Sequence, residues 1–177
     1  MNALIRMKKI GDVSIEKDQC SIRISPDYRP GLHQLEGFSH IFVLWWAHQS
    51  DSRRQRNCLK IGGLFKALPE MGVFASRAPF RPNPVMLSIV PVLDLNTKDG
   101  IISIPTIDAA HGSPVIDIKP YHLMDRVKHC NVPNWCSHWP ESFEKYRAYN
   151  WDKELKTTNL IRVHSNTTTV SKKPVLK

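Results

Sequence analysis

Short apolar runs separated by turn-forming residues dominate the first 120 residues of the chain. They are rich in Ile and Val and are bounded by Pro, Gly, Asn or Asp, as short β-strands are. The runs are Ser21–Ile24, Ile41–Trp46, Val73–Ala75, Val85–Leu93, Ile101–Ile107 and Val115–Ile118. Long helical periodicity is missing, as is the alternation of strands and helices that marks a parallel α/β sheet. The pattern therefore predicts an all-β fold, a small closed or partly open β-barrel of short strands.

Prolines constrain these strands, since seven of the thirteen fall between Pro79 and Pro120. A proline donates no backbone hydrogen bond, so we expect the strands that contain one to be edge strands, bulged or very short. Pro91 marks such a break inside the run Val85–Leu93.

The pattern changes near residue 125 and predicts a short C-terminal helical extension. Pro140 suits a first helical turn, and Glu141 and Glu144 favour the positive end of the helix. The aromatic residues that we expect on its inner face, or as anchors just before it, are Phe143, Tyr146, Trp151, Trp135 and Trp139.

Three parts of the chain follow from these patterns. We predict a barrel over residues 1–125, a Trp-rich extension over 126–152 that packs on the barrel, and a basic tail over 153–177. Within the tail, Leu160–Val163 could add a weak edge strand, whereas Thr167–Lys177 has the composition of an unstructured end.

Composition adds a basic bias. The 177 residues contain 25 Lys+Arg and 16 Asp+Glu, a net charge of +9. The stretch from His48 to Ser88 carries +5 and the last 27 residues +4, so the remainder is neutral. These two islands suggest a polyanionic partner, although solvated, flexible segments are the alternative.

Several classes of protein and site are excluded. No run approaches the roughly 20 apolar residues of a membrane-spanning helix, and the N-terminus lacks the apolar core of a signal peptide, so we expect a soluble cytoplasmic protein. Rossmann, P-loop, zinc-protease and α/β-hydrolase motifs are absent. Cys130, Cys136 and His138 lack zinc-finger spacing, so with Cys20 and Cys58 we expect reduced, half-buried thiols and no metal.

The segment Gly72–Pro84 is the most unusual in the chain. It delivers Arg77 and Arg81 into a turn that three prolines make rigid. Because a guanidinium forms paired hydrogen bonds with carboxylate or phosphate and stacks on bases, we predict that at least one arginine forms a binding site. The alternative is that one arginine caps a strand end or pairs with Asp108 or Asp117.

Two further segments carry candidate polar groups. His111-Gly-Ser-Pro114 is a turn whose glycine allows a ligand to approach the backbone, and Asp117 and Lys119 follow on one side of a strand. An ordinary turn with a surface ion pair is the alternative. The earlier apolar strand presents His48 and Gln49 at its exit.

Together these segments resemble the TsaA-like, TrmO-type family of S-adenosylmethionine (SAM)-dependent tRNA methyltransferases. The family signature contains Leu-Glu-Gly-Phe-Ser-His, here Leu35–His40, then Gly-Val-Phe-Ala-Thr/Ser-Arg-Ser/Ala-Pro-Phe-Arg-Pro-Asn-Pro, here Gly72–Pro84. It closes with Asp-Gly-Thr-Pro-Val-Leu-Asp-Ile-Lys-Pro-Tyr, here His111–Tyr121. The middle motif is long and specific, and the three occur in the family order.

The resemblance implies a β-barrel methyltransferase that uses SAM, works as a homodimer and methylates N6 of threonylcarbamoyladenosine beside the tRNA anticodon. By motif, the cofactor-binding residues are Arg77, Leu87, His48, Gln49, His111, Gly112, Ser113 and Pro114. The residues assigned to substrate or RNA binding, partly from the basic island, are Arg81, Asn83, Lys119, Tyr121, Arg53, Arg54 and Arg56. If the transfer needs a general base, Asp117 or His111 is the candidate, and Phe80 or Tyr121 could face the cationic sulfonium.

Three departures from the family pattern keep other hypotheses open. His111 replaces the Asp of the Asp-Gly-Thr-Pro turn, and Met86 replaces a small residue that follows the proline motif. No counterpart of the family's early Arg-Gln-Pro-Gly-Leu loop lies between Ile10 and Ser25. The alternatives are a SAM-dependent methyltransferase of a small molecule and a non-catalytic module that binds RNA or a nucleotide.

Overall fold

A computed structural model describes residues 6–17, 19–62, 68–151 and 162–163. The chain divides into two compact units: residues 1–56 with 83–126 (unit 1), and residues 57–82 with 127–177 (unit 2). The described strands are β1 Gly11–Glu16, β2 Gln19–Ile24, β3 His40–Trp46, β4 Lys60–Gly62, β5 Met71–Gly72, β6 Val85–Pro91, β7 Asp94–Asn96, β8 Ile101–Ile104, β9 Pro114–Pro120 and β10 Arg162–Val163. The described α-helices are α1 Arg53–Arg56 and α2 Phe143–Ala148. The predicted predominance of short β-strands is therefore confirmed.

Unit 1 is a seven-stranded antiparallel sheet with the order β6-β3-β9-β1-β2-β8-β7. Its strands bury alternate residues, and Ile22, Ile41 and Ile102 are completely inaccessible to solvent. Each such side chain contributes about 1.5–3 kcal/mol through burial. The apolar runs in the sequence predicted these strands because a half-buried strand repeats every two residues.

The two strands at opposite ends of this order, β6 and β7, are joined by only Val92 and Leu93. The Val92 N–H donates to the Ser39 carbonyl, 2.9 Å away beside β3, and the Leu93 N–H donates to the Ser103 carbonyl of β8 at 2.8 Å. Two consecutive N–H groups therefore form hydrogen bonds near opposite ends of the strand order, one beside β3 and one in β8.

Prolines end strands more often than they displace them to an edge. Pro91 is the last residue of β6, as predicted, and Pro105 follows the end of β8, which is shorter than the predicted run Ile101–Ile107. We predicted that strands containing proline would be edge strands, bulged or very short. Strand β9 is not an edge strand, because it lies between β3 and β1. It is bulged, because its register with β3 shifts between Leu44 and Trp45. Its prolines stand at the two ends, so its interior N–H groups remain available.

Unit 2 contains the small sheet β10-β4-β5 and an apolar cluster of Cys58, Ile61 and Val73. The predicted strand Val73–Ala75 is wrong, because these residues form a 3-10 helix that follows β5. Ser76 causes the difference: its N–H and its hydroxyl both donate to the Val73 carbonyl, at 3.1 and 2.8 Å, and so close a turn.

The C-terminal part of unit 2 contains an aromatic cluster. Helix α2 begins at Phe143, three residues after Pro140, because the Ser142 side chain accepts a hydrogen bond from the Lys145 N–H at 3.4 Å. Trp139 and Tyr146 each pack on Trp151, with ring centroids 5.5 and 5.2 Å apart. Strand β10 falls within the predicted run Leu160–Val163, the first two residues of which, like the whole of Thr167–Lys177, lie outside the described residues. No helix in the described part of the chain is both long enough and apolar enough to cross a membrane.

Candidate functional site

Two of the predicted cofactor-binding segments meet in unit 1. The Ser113 hydroxyl lies 3.3 Å from Nδ1 of His48, although the two residues are 65 positions apart in the chain. Ser113 is buried with 1% exposure, whereas His48 and Gln49 are exposed in the 3-10 helix that follows β3. The sequence predicted both segments, and the fold brings them together because β3 and β9 are neighbouring antiparallel strands.

The turn that contains Gly112 is held against β1 by backbone hydrogen bonds. The Gly112 N–H donates to the Val13 carbonyl at 2.8 Å, and the Val13 N–H donates to the Ser113 carbonyl at 3.0 Å. Gly112 has φ +76°, a conformation that favours glycine, and no atom lies within 4 Å of the position that a Cβ would occupy. The turn thus presents a fixed backbone with open space in front of it, while Pro114 begins β9.

His111 is oriented by β1. The Ile15 N–H donates to Nδ1 of His111 at 3.0 Å, so Nδ1 is the acceptor nitrogen and the neutral ring carries its proton on Nε2. In this arrangement the exposed Nε2 offers a hydrogen-bond donor. A general base at this position would instead need an unprotonated Nε2.

Strand β9 separates the remaining candidates from this turn. At about 3.3 Å per residue, Asp117 lies about 13 Å and Tyr121 about 26 Å along the strand from Ser113. Asp117 forms an ion pair with Lys119 at 2.7 Å between partly exposed side chains, as the alternative of a surface ion pair predicts. Tyr121 packs on Phe42 with ring centroids 5.3 Å apart. Lys119 and Tyr121 therefore do not share a site with residues 111–114.

Asp117 borders a cavity of about 330 Å³ in unit 1. The wall is mostly apolar and includes Leu32, Leu35 and Ile118, and the ring of Tyr28 also contributes to it. A carboxylate at the edge of an apolar cavity can accept hydrogen bonds from a planar ligand with amino groups.

Strand β6 presents an apolar side chain to solvent. Leu87 is 52% exposed, and Asn83, two residues before β6 begins, is exposed as well. Met86 instead packs against the core of unit 1. Its bulk is therefore accommodated at least in part by the core, so this departure from the family pattern gives less support to a small-molecule substrate.

The basic residues after β3 have different environments. Arg53 and Arg54 are exposed on α1. Arg56 forms an ion pair with Asp51 and lies over the Trp46 ring, 5.2 Å from its centroid. The Trp46 indole N–H donates to Asp51 at 2.8 Å, and these contacts, chiefly the Arg56 hydrogen bond, lower the pKa of the Asp51 carboxyl. Arg56 consequently stabilises the β3 exit.

The two motif arginines lie in unit 2. Arg77 is exposed, whereas Arg81 is half-buried and donates from Nη1 to the Ser76 carbonyl at 3.4 Å, at the end of the 3-10 helix. Phe80 packs against the apolar cluster of unit 2, so its ring supports the loop. Sequence reasoning missed Phe74, which is 76% exposed beside the buried Val73; the apolar run Val73–Ala75 gave no signal of that exposure.

The four cysteines are free. Burial raises the pKa of the Cys20 and Cys58 thiols, so both remain protonated and weakly nucleophilic at neutral pH. Cys130 is exposed and Cys136 buried, so the expectation of half-buried thiols fits only Cys20. In the part of the chain that the structure describes, no group of three or more His, Cys, Asp or Glu could hold a metal ion.

Comparison with known proteins agrees with the fold and the motifs. The profile of the tRNA-methyltransferase O N-terminal domain matches residues 11–125. A probable S-adenosyl-L-methionine-binding protein of Methanothermobacter thermautotrophicus is 44% identical over 105 residues, which cover 59% of this chain and 71% of that protein. The tRNA (adenine(37)-N6)-methyltransferase of Escherichia coli is 39% identical over 92 residues, 49% of this chain and 37% of the enzyme.

A solved structure shows the same fold. The crystal structure of TrmO from Pseudomonas aeruginosa has a TM-score of 0.55 and 25% identity, covering 72% of this chain and 61% of that one. The fold described above is thus that of a small, mostly β, TrmO-like domain. The chain belongs to the tRNA-methyltransferase O N-terminal domain family, which confirms the resemblance drawn from its three motifs.

Proposed function

We propose that this protein is a SAM-dependent methyltransferase that acts on tRNA. Family membership supports the reaction class, and relatives named for SAM binding and for methylation of tRNA adenine 37 support the cofactor and the substrate. The observation that carries the proposal for this chain is the contact between Ser113 and His48, which brings together two of the segments assigned to the cofactor.

The residues at this place fit the chemistry of SAM. The open space in front of Gly112 admits a ligand to the turn, and His48 and Gln49 expose groups that can hydrogen-bond an adenine or a ribose. Leu87 adds an exposed apolar surface of the kind that packs against a base. We assign the cofactor to these residues of unit 1; Arg77, which the family motif also implies, is exposed in unit 2.

When bound, SAM supplies an electrophilic methyl group on a sulfonium. The protein's own contribution is alignment of the two reactants and exclusion of water. His111, with its proton on Nε2, donates a hydrogen bond at the turn. The proton that the acceptor nitrogen releases is assigned to solvent, because Asp117, the candidate general base of the motif, lies about 13 Å along β9 from the turn and pairs with Lys119 at 2.7 Å.

Finer features are part of the same proposal. The acceptor would be N6 of threonylcarbamoyladenosine beside the anticodon, and a splayed-out base in an RNA loop is the form of substrate that proteins read. The Val92–Leu93 junction supports closure of the unit 1 sheet into a barrel. The protein would act in the cytoplasm as a homodimer, as the family resemblance implies.

Calorimetric titration with SAM tests the proposal directly. We expect a saturable binding heat that His48→Ala weakens and that Lys119→Ala, a change far along β9, leaves intact. An absence of binding heat at millimolar SAM would contradict the proposal. SAM binding without labelling of any tRNA would favour a small-molecule substrate.

A further inference from the structure

Phe74 and Phe80 belong to the same motif but have opposite environments. Phe80 packs against the apolar cluster of unit 2, whereas Phe74 is 76% exposed. Exposure of a phenylalanine forgoes about 1.5–3 kcal/mol of burial. Val73 and Phe80 of the same motif pack in the apolar cluster, whereas Phe74 lacks this stabilisation. Its exposure therefore needs a physical explanation.

The backbone beneath Phe74 is fixed. The Val73 N–H donates to the Leu59 carbonyl at 2.9 Å, and the Val73 side chain is buried with 1% exposure. The Ser76 hydroxyl donates to the Val73 carbonyl at 2.8 Å and accepts from the Ala78 N–H at 3.2 Å. The 3-10 helix therefore holds the ring outward on a rigid support.

An exposed cation belongs to the same loop as the ring. Arg77 is exposed three residues after Phe74, whereas Lys60 pairs with Glu70 at 4.0 Å and Arg81 donates to the Ser76 carbonyl. Positive charge attracts an RNA backbone, and an exposed aromatic face stacks on an unpaired base.

We propose that Phe74 is a stacking platform for an unpaired RNA base. The ring contacts the face of the base, and Arg77 contacts a neighbouring phosphate. This role rests on the proposed function only for the identity of the RNA, since stacking on an aromatic ring tolerates any base.

Fluorescence anisotropy with a short labelled oligoadenylate, in the absence of SAM, measures this contact. We expect Phe74→Ala to raise the Kd about 5- to 100-fold and Phe74→Tyr to retain the affinity. Phe74→Leu should lose most of the affinity although it keeps an apolar side chain. The slope of log Kd against log salt should not change in Phe74→Ala, because a stacked ring releases no counterions.

Leu59→Ala is the matched control, since Leu59 is 59% exposed in the same unit and carries no ring. Its Kd should equal that of the wild type. The proposal is wrong if Phe74→Ala binds like the wild type, if Leu59→Ala weakens binding equally, or if Phe74→Ala changes the oligomeric state in sedimentation, which would place the ring in a protein interface. Failure of the proposed function is a separate result, because it appears as missing SAM binding in the wild type.

Discussion

Gly112 sets the shape of the turn on which the proposed cofactor site depends. Alanine at φ +76° costs about 1–2 kcal/mol of stability, although its Cβ would meet no atom within 4 Å. Gly37 offers a matched control, with φ +89° and equally open space. We expect Gly112→Ala and Gly37→Ala to lose similar stability in urea unfolding, and only Gly112→Ala to weaken SAM binding. Equal SAM affinity in the two variants would show that the cofactor does not bind at this turn.

The buried hydroxyl of Ser113 orients His48. Ser113→Ala removes one neutral hydrogen bond, so it should lower the free energy of unfolding by about 1 kcal/mol and raise the Kd for SAM several-fold. Ser14 is a comparable buried serine, whose hydroxyl donates to Glu16 at 2.8 Å in β1. Ser14→Ala should show the loss of stability without the loss of SAM affinity, and a matching loss of affinity would indicate a general effect on the fold.

At the scale of elements, the exit of β3 is stabilised by Trp46, Asp51 and Arg56. The pKa of Asp51 is lowered in the folded protein, so its stabilisation is fully present above its ordinary value of 3.8 and is lost as the pH falls through the lowered pKa. Because the carboxylate and its Arg56 partner are both partly exposed, we expect Asp51→Asn to cost only about 0.5–1 kcal/mol at pH 7. Urea unfolding should show this difference shrinking below about pH 4. A difference that is the same at pH 7 and pH 3 would exclude the ionised carboxylate as its source.

The sequence predicted elements with a strong local signal. The apolar runs gave β2, β3, β6 and β9, because alternating burial of Ile and Val is recorded in each segment itself. β1 was missed because its buried positions include Ser14, a polar residue that satisfies its hydroxyl locally. Val73–Ala75 was misassigned because a side-chain bond from Ser76 overrides β propensity.

The candidate site was predictable as residues but not as geometry. His48 and Ser113 stood out by motif, yet their contact depends on the pairing of β3 with β9, which no local pattern specifies. The Ile15 N–H that orients His111 lies 96 positions away, and a backbone donor leaves no signature in the sequence. Lys119 and Tyr121 were assigned to substrate or RNA binding by motif; Lys119 lies near the far end of the seven-residue β9, and Tyr121 follows that strand.

At the scale of the whole molecule, the Val92–Leu93 junction connects the two ends of the unit 1 strand order. Leu93→Pro removes the N–H that donates to the Ser103 carbonyl, so it should cost about 1–3 kcal/mol. Leu93→Ala keeps the donor and changes a side chain that is 65% exposed, so its effect should stay within about 0.5 kcal/mol. Unfolding midpoints in urea separate the two variants, and a proline variant as stable as the wild type would argue against a barrel closed at this point.

The basic residues that give the net charge of +9 fall into two groups, paired and exposed. Part of it is used internally, as Arg56 with Asp51 shows, and part is exposed on α1 and beside Phe74. RNA affinity should therefore fall steeply with salt, as it does for proteins that bind through phosphate contacts.

Methyl transfer itself is the decisive observation. The full-length protein is incubated with methyl-labelled SAM and with total tRNA from cells that lack the endogenous activity, and the RNA is then digested to nucleosides. We predict that label enters tRNA in a modified adenosine and that Gly112→Ala reduces its rate while Gly37→Ala does not. Unlabelled tRNA after incubation with protein that binds SAM would contradict a tRNA substrate, and absence of SAM binding would contradict the enzyme class.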